Sequence, residues 1–183
     1  MRVISGRFKG RRLKSFQAQH IRPTTDRVKE TIFNKLMGHW EGARVLDLFS
    51  GTGNLAIEAC SRGAGHVEAV ESHRLSLKIM RENFSSLGLE GEIKTHARDV
   101  FQFLKSYQGE AFDIVLVDPP FTESLAHAAM EALSQARVAG LGTLVVIEAS
   151  GTERLDDSYP GFNRLDTRDF GDKRVAFFQK AED

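Results

Sequence analysis

The segment VLDLFSGTGNLA, residues 45–56, is the part of the sequence that most clearly indicates the fold class. In it, a short apolar run, a glycine-rich turn and the start of an amphipathic helix follow one another directly. Glycines let the backbone approach a ligand closely, and free N–H groups at a helix start attract negative charge. In open parallel sheets, ligands bind at this position, the carboxyl end of the strands. The predicted cofactor-binding residues of this turn are Asp47, Ser50, Gly51, Thr52 and Gly53.

The pattern of strand, turn and helix repeats along the rest of the chain. Apolar runs at 67–70, 93–96, 112–117 and 143–147 alternate with amphipathic segments at 54–62, 73–87, 99–107 and 123–137. This alternation predicts a parallel sheet covered by helices on both faces. The last two runs, 164–170 and 174–178, are separated by three residues, which is too short for a parallel crossover. We therefore predict an α/β, doubly wound sheet whose last strand is antiparallel.

The first 35 residues are strongly basic, although the whole chain is neutral. They hold 10 Lys and Arg against 2 acidic side chains, whereas the chain has 25 of each sign. Residues 2–4 and 11–13 are predicted to form two short strands of a hairpin around a basic turn. Such asymmetry indicates either a nucleic-acid-binding arm or a solvated charged surface. The predicted RNA-binding residues are Arg2, Arg7, Lys9, Arg11, Arg12, Lys14 and Arg27.

A helix is predicted after Pro23, where Thr24 or Thr25 can cap its start. Apolar residues recur at helical spacing and predict one buried stripe. The residues of this stripe are Val28, Ile32, Phe33, Leu36 and Met37. We divide the chain just before this helix, into a basic N-terminal β-hairpin arm at residues 1–22 and a main domain at residues 23–183.

Acidic residues follow the next two strands of the predicted sheet. Glu71 lies 18 positions after Gly53, close to the spacing at which a carboxylate accepts hydrogen bonds from ribose hydroxyls. Asp99 can accept from an adenine amino group or cap the next helix, and both Asp99 and the following Val100 are predicted to bind the cofactor. These positions suit the adenosine of a nicotinamide cofactor as well as that of S-adenosylmethionine, so they do not separate the two.

The fourth strand runs into Asp118-Pro119-Pro120-Phe121, which indicates the reaction. An exocyclic amino nitrogen of a base is a poor nucleophile because its lone pair is delocalised into the ring. The Asp118 carboxylate and the Pro119 carbonyl can accept hydrogen bonds from the amino group and aim its lone pair at a methyl donor. The prolines fix φ, and Phe121 offers a face for base stacking. We predict that these four residues form the catalytic centre of an amino-nitrogen methyltransferase; the alternative is a rigid turn with a core Phe.

Length and composition narrow the class of protein. A chain of 183 residues holds one well-buried domain. Cys60 is the only cysteine, which excludes an intramolecular disulfide and a cysteine-based metal cluster, and we interpret it as a small core residue. No stretch approaches the roughly 20 apolar residues of a membrane span, and no secretory signal is visible. We expect a cytoplasmic monomer that binds neither a metal nor a membrane.

These motifs resemble those of a known family, the RsmD-type bacterial methyltransferases that modify guanine N2 of 16S ribosomal RNA. The resemblance covers nearly the whole chain and is carried by residues 2–6, 22–24, 26–30, 47–53 and 118–121. It implies a Rossmann-like, seven-stranded, S-adenosylmethionine-dependent methyltransferase fold. It also implies guanine 966 of 16S ribosomal RNA as the target, in the small ribosomal subunit or an assembly intermediate.

The resemblance also implies roles for particular residues. Gly51 and Gly53 would face the methionine part of S-adenosylmethionine, and Glu71 would bind its ribose. The segment Arg22-Pro23-Thr24 would close over the cleft, which adds Arg22 and Thr24 to the predicted cofactor-binding residues.

Several alternatives stay open from the residues alone. Methylation of adenine N6 in DNA or RNA uses the same four-residue motif, so the motif does not settle the base. A nicotinamide-dependent oxidoreductase would leave the basic segment and residues 118–121 unexplained. A catalytically silent RNA-binding protein would leave the cofactor residues unexplained. A glutamine methyltransferase is disfavoured because that group usually carries Asn where Asp118 stands.

Overall fold

A computed structural model describes residues 1–15, 26–121 and 125–182 of the chain. The helices are α1 (Asp26–Lys35), α2 (Asn54–Ser61), α3 (Arg74–Leu87), α4 (Val100–Ser106) and α5 (Ala126–Gln135). The strands are β1 (Arg44–Leu48), β2 (His66–Glu71), β3 (Ile93–Ala97), β4 (Phe112–Val117), β5 (Ala139–Ser150), β6 (Ser158–Tyr159), β7 (Phe162–Phe170) and β8 (Lys173–Lys180). All elements predicted from residue 43 onward are present, and β6 is an additional two-residue strand.

The strands form one sheet in the order β3-β2-β1-β4-β5-β8-β7-β6. Strands β1 to β5 run parallel to one another, whereas β8 is antiparallel to both β5 and β7. The seven longer strands and the antiparallel β8 confirm the predicted Rossmann-like methyltransferase fold. The short β6 extends the β7 edge.

The order of the strands reverses at β1, which lies between β2 and β4. Leu48 at the end of β1 is paired with Val70 on one side and Val117 on the other. The residues that follow these three strands therefore meet at one edge of the sheet. A reversal point of this kind is where open α/β sheets bind their ligands.

The sheet is covered on both faces by hydrophobic cores. One core joins α1, α2 and α3 to the sheet and includes Val3, Leu13 and Cys60, which are 1%, 6% and 3% exposed. The other core joins α4 and α5 to the opposite face. The prediction that Cys60 is a core residue is confirmed. The described part of the basic segment packs on the domain, because Val3 and Leu13 belong to its core.

The predicted N-terminal hairpin is present but minimal. It contains one isolated bridge, between Arg2 and Arg12, instead of two three-residue strands. The backbone N–H groups of Ile4 and Ser5 donate to the Glu58 carboxylate on α2, at 2.8 and 3.0 Å. These groups are therefore unavailable for a longer ladder. The proposed domain boundary at residue 22 lies outside the described residues.

Helix α1 ends before the last residue of the predicted apolar stripe. It ends at Lys35, and the turn that follows contains Gly38 with a φ of 92°. Met37 therefore falls outside the helical stripe and is 77% exposed, so its predicted burial is wrong. Val28, Ile32, Phe33 and Leu36 are buried as predicted. The predicted caps Thr24 and Thr25 lie outside the described residues.

Candidate functional site

The glycine-rich turn after β1 is held by backbone contacts. The Ser50 N–H donates to the Val70 carbonyl at 3.0 Å, and the Gly53 N–H donates to the Ser50 carbonyl at 2.8 Å. Gly51 and Gly53 have φ values of 56° and 82°, which favour glycine. A Cβ at Gly53 would lie 2.6 Å from the Phe84 ring on α3. Packing of the turn against α3 therefore requires Gly53, independently of any contact between Gly53 and a cofactor.

Asp47 lies beneath this turn as a buried carboxylate. Its Oδ2 accepts hydrogen bonds from Ser50 Oγ at 2.6 Å and from the Ala56 N–H at 3.0 Å. Its Oδ1 is buried and has no hydrogen-bond partner among the described residues. Burial raises the pKa of Asp47 to about 7, and the charges of Asp118 and Glu71 add to that rise. Three carboxylates therefore lie close together at this edge of the sheet.

This cluster of carboxylates, Asp47, Glu71 and Asp118, suits a ligand that carries positive charge. A buried carboxylate oxygen without a partner costs free energy until a donor or a cation approaches. S-adenosylmethionine brings a sulfonium and an ammonium group, whereas nicotinamide dinucleotides place an anionic pyrophosphate at the turn. The described residues therefore fit S-adenosylmethionine better than a nicotinamide cofactor.

Glu71 orders the same turn from the end of β2. Its Oε2 accepts from the Gly51 N–H at 2.8 Å, and its Oε1 accepts from the Ser72 and His73 N–H groups at 2.8 and 2.6 Å. A carboxylate oxygen has two lone pairs, so Oε2 keeps an acceptor direction beside its bond from Gly51. This geometry is compatible with the predicted contact to a ribose hydroxyl.

Asp99 caps helix α4, as one of the two sequence interpretations expects. Its Oδ1 accepts from the Gln102 N–H at 2.9 Å. Val100, the first residue of α4, is 3% exposed and packs in the core. The role of Asp99 toward an adenine amino group stays a prediction. Arg22 and Thr24, the other predicted cofactor-binding residues, lie outside the described residues.

The motif at residues 118–121 begins next to the glycine-rich turn. The Asp118 N–H donates to the Leu48 carbonyl at 3.4 Å, which joins the ends of β4 and β1. Pro119 is buried, Pro120 is exposed, and Asp118 and Phe121 are half-buried. The predicted catalytic centre and the predicted cofactor turn are far apart in the sequence. The fold brings them together at one edge of the sheet.

Asn83 on α3 is a residue of this site that the sequence analysis missed. Its Nδ2 donates to the Thr52 carbonyl at 2.9 Å and to the Lys14 carbonyl at 3.1 Å, and its Oδ1 accepts from the Lys14 N–H at 2.8 Å. Asn83 is 1% exposed. Asn83 therefore joins the glycine-rich turn to the backbone of Lys14, which directly follows the hairpin. A polar residue on the apolar face of α3, beside Met80 and Phe84, was the available signal.

We expect Asn83→Ala to weaken S-adenosylmethionine binding about fivefold to tenfold. The substitution leaves the Thr52 carbonyl without its side-chain donor, and a hydrogen bond of this kind contributes about 1 to 1.5 kcal/mol net. Titration calorimetry measures the change in Kd. The matched control is Asn163→Ala on β7, where the side chain is exposed. Equal affinity of the Asn83 and Asn163 variants would remove Asn83 from the site.

Three of the predicted RNA-binding residues are paired with carboxylates of the protein. Their ion pairs are Arg2 with Asp26 at 2.9 Å, Lys14 with Glu82 at 3.1 Å, and Arg7 with Glu92. The Arg7 guanidinium also donates to Cys60 Sγ at 3.1 Å. These side chains therefore hold the hairpin on the domain, and less of their charge is available to RNA.

The other predicted RNA-binding residues are exposed. Lys9, Arg11 and Arg12 form no ion pair with a carboxylate in the described part of the chain. The Arg27 guanidinium lies 5.9 Å from the centre of the Phe170 ring, next to the β7–β8 turn. Lys9, Arg11 and Arg12 are thus the members of the basic segment best placed to meet phosphates.

Two shallow pockets of about 470 and 390 Å³ lie at the amino ends of the strands. None of the predicted site residues within the described part of the chain lines either pocket. The assignment of the site therefore rests on topology and on the contacts above. Within the described ranges, no three His, Cys, Asp or Glu side chains are grouped to hold a metal, and no helix is long and apolar enough to cross a membrane.

Comparisons with known proteins agree with this geometry. A family model described as conserved hypothetical protein 95 matches residues 1–179. The protein YlbH of Bacillus subtilis (strain 168) is 31% identical over 182 residues, which is 98% of this chain and 99% of that protein. Ribosomal RNA small subunit methyltransferase D of Haemophilus influenzae is 35% identical over 157 residues, 85% of this chain and 81% of that protein.

A solved structure shows the same fold over the whole chain. The protein yhhF of Escherichia coli superposes with a TM-score of 0.88 at 28% identity, covering 100% of this chain and 99% of that one. The sequence match and the fold are those of a methyltransferase, which argues against the nicotinamide-dependent alternative. The chain therefore belongs to the conserved hypothetical protein 95 family, the RsmD-type S-adenosylmethionine-dependent methyltransferases.

Proposed function

We propose that this protein transfers a methyl group from S-adenosylmethionine to the exocyclic N2 of a guanine, of the 966 type, in 16S ribosomal RNA. Its substrate is the small ribosomal subunit or an assembly intermediate. One observation carries the proposal: Asp118 to Phe121 start beside the glycine-rich turn and its carboxylates, at the reversal point of the sheet. The Haemophilus influenzae relative, named for the small ribosomal subunit, supports the choice of RNA.

The residues at this edge have distinct roles in methyl transfer. S-adenosylmethionine supplies a methyl group already activated on a sulfonium. The Asp118 carboxylate and the Pro119 carbonyl accept hydrogen bonds from the guanine amino group and direct its lone pair. The amino nitrogen forms its bond to the methyl carbon as the carbon–sulfur bond breaks, and one amino proton leaves to Asp118 or solvent. Alignment and electrostatic stabilisation account for most of the rate in such a site.

Methylation of adenine N6 is the second candidate function. The same motif can accept hydrogen bonds from that amino group, so the motif does not distinguish the two bases. The guanine assignment rests on the family, since the matches run over the basic segment and the main domain together. The substrate test must therefore identify the modified base as well as the RNA.

The proposal is tested by methyl transfer to ribosomal particles. The protein is incubated with labelled S-adenosylmethionine and small subunits from a bacterial strain that lacks its own copy of this methyltransferase. We expect label in the 16S RNA of these subunits and none in large subunits or in small subunits from the parent strain. Label in the large subunits alone would contradict the proposal.

We expect the affinity for S-adenosylmethionine to rise as pH increases from about 6 to 8. Burial raises the pKa of Asp47 to about 7, above its ordinary value, so the folded protein keeps a proton that a bound cation displaces. The same shift stabilises the ligand-free fold at low pH, and this contribution is lost as pH rises through about 7.

Calorimetry in two buffers of different ionisation enthalpy measures this proton release at about pH 6.5. Asp47→Asn is the matched variant, since it keeps the shape of the side chain and cannot release the proton. Equal proton release by the wild type and Asp47→Asn would show that another group titrates.

Neutralising Lys9, Arg11 and Arg12 together should weaken RNA binding and lower its dependence on salt. Each basic side chain that contacts a phosphate contributes about 0.7 to 0.9 to the slope of log K against log salt, so three contribute roughly 2 to 3. Binding of small subunits at several salt concentrations measures the slope. The matched control neutralises three exposed basic residues near α4 and α5: Arg98, Lys105 and Arg137. Equal slopes in both triple variants would mean that the hairpin is a solvated charged surface that does not contact RNA phosphates.

A further inference from the structure

Lys173 places a buried ammonium group against the aromatic ring of the candidate catalytic motif. Its side chain is 5% exposed, and its Nζ lies 4.4 Å from the centre of the Phe121 ring. The same Nζ donates to Glu148 Oε2 at 3.2 Å, and the Glu148 side chain is 1% exposed. The ammonium of a buried ion pair therefore contacts the aromatic ring on which the target base is predicted to stack.

The fold brings these three residues together at the edge where the site lies. Glu148 follows Ile147, which is paired with Val117, so Glu148 and Asp118 come at neighbouring positions where β5 continues beside the end of β4. Lys173 opens β8 and is paired with Ser150 near the end of β5. The ion pair thus lies beside the catalytic motif and belongs to different strands from it.

Stability alone is a weak reason for such a pair. Removing two charges from water is costly, and replacing a buried ion pair with apolar residues of similar size is often neutral or stabilising. A cation on a ring face is worth about 2 kcal/mol when it is desolvated, because the ring carries negative charge on its faces. The Phe121 ring is therefore a second partner of the Lys173 ammonium, after Glu148. The strength of this contact depends on where the ammonium lies relative to the ring face.

We propose that Lys173 is a positioning residue for Phe121, and that Glu148 holds its ammonium in place. The ammonium covers one face of the ring and fixes its plane, so that the opposite face is presented to the target base. Stacking of a base on an aromatic ring is worth about 1 to 3 kcal/mol and depends on this plane. The inference rests on the proposed function, since it assigns a role within the same site.

A double-mutant cycle in methyl transfer tests this inference. The charge-neutral change Lys173→Met with Glu148→Gln removes the ammonium without leaving a bare buried carboxylate. It is made in the wild type and in Phe121→Leu, and kcat and KM are measured with small subunits. We expect kcat/KM to fall about tenfold in the wild type, mainly through KM, and less than about threefold in the Phe121→Leu background.

A second cation on a ring gives the matched control. Lys180 lies at the other end of β8, with its Nζ 4.9 Å from the centre of the Phe162 ring. Lys180→Met should leave kcat/KM unchanged, and all variants should bind S-adenosylmethionine with wild-type affinity. Equal losses in the two Phe121 backgrounds would overturn the inference, because the ion pair would then act on stability alone.

Two further outcomes are distinguishable from this one. If the charge-neutral variant fails to fold, the cycle is run with Lys173→Arg, which keeps a cation over the Phe121 ring and is expected to stay within threefold of wild type. A larger loss that persists in Phe121→Leu would again overturn the inference. Absence of transfer by the unmodified protein would instead contradict the proposed function, before any variant is compared.

Discussion

Asp118→Ala is expected to lower kcat for methyl transfer by roughly 10²- to 10³-fold while S-adenosylmethionine still binds. The carboxylate lies at the end of β4, beside the glycine-rich turn, where it can accept hydrogen bonds from the amino group that is methylated. Its loss leaves that group unaligned, whereas the contacts that shape the turn come from Asp47, Glu71 and Asn83. Single-turnover kinetics and titration calorimetry measure the two effects separately.

Asp113→Ala is the matched control for this variant. Asp113 lies on the same strand, is exposed, and accepts a hydrogen bond from the Arg44 N–H at 2.8 Å, at the opposite edge of the sheet. Its removal should leave kcat unchanged. Wild-type activity in Asp118→Ala would exclude the proposed alignment mechanism.

Glu58→Ala is expected to lower the free energy of unfolding by about 3 to 5 kcal/mol. Glu58 is fully buried and accepts from Lys29 Nζ at 3.1 Å and from Arg62 Nε at 2.9 Å, as well as from two backbone N–H groups of the hairpin. Without it, the Lys29 ammonium is buried and loses its carboxylate. Burial already lowers the pKa of Lys29. Urea unfolding measures the loss.

Two comparisons separate this network from a general effect of removing charge. Glu110→Ala, which removes an 82% exposed partner of Arg44, should change the free energy of unfolding by less than about 0.5 kcal/mol. Lys29→Met combined with Glu58→Gln should be more stable than Glu58→Gln alone, since no unpaired ammonium remains. Equal losses in Glu58→Ala and Glu110→Ala would mean that the buried network contributes little.

The sheet and the meeting of the candidate site residues at its carboxyl edge could be predicted because they depend on local patterns. The alternation of strands and helices sets the parallel order, and glycine and acidic residues after β1, β2 and β4 mark the carboxyl edge. The three-residue gap after Phe170 predicted the antiparallel β8. These features need only the periodicity of the sequence and the lengths of its connections.

Contacts between distant residues could not be predicted in the same way. Asn83 meets Thr52 across 31 positions, and Lys173 meets Glu148 across 25. The polar Asn83 on the apolar face of α3 was a local signal, but no local pattern identified the partner in either pair. The basic composition of the hairpin could not show that Arg7 is paired with a carboxylate, because pairing depends on how the hairpin packs on α2 and β3. Met37 was predicted as buried because periodicity does not mark where a helix ends.

The identity of the modified nucleoside is the decisive test of guanine N2 methylation in 16S ribosomal RNA. Small subunits methylated by this protein are digested with nucleases, and the labelled nucleoside and its RNA fragment are identified by mass spectrometry. We expect N2-methylguanosine in the fragment that contains guanine 966. N6-methyladenosine in the labelled fragment would contradict it and establish the second candidate function.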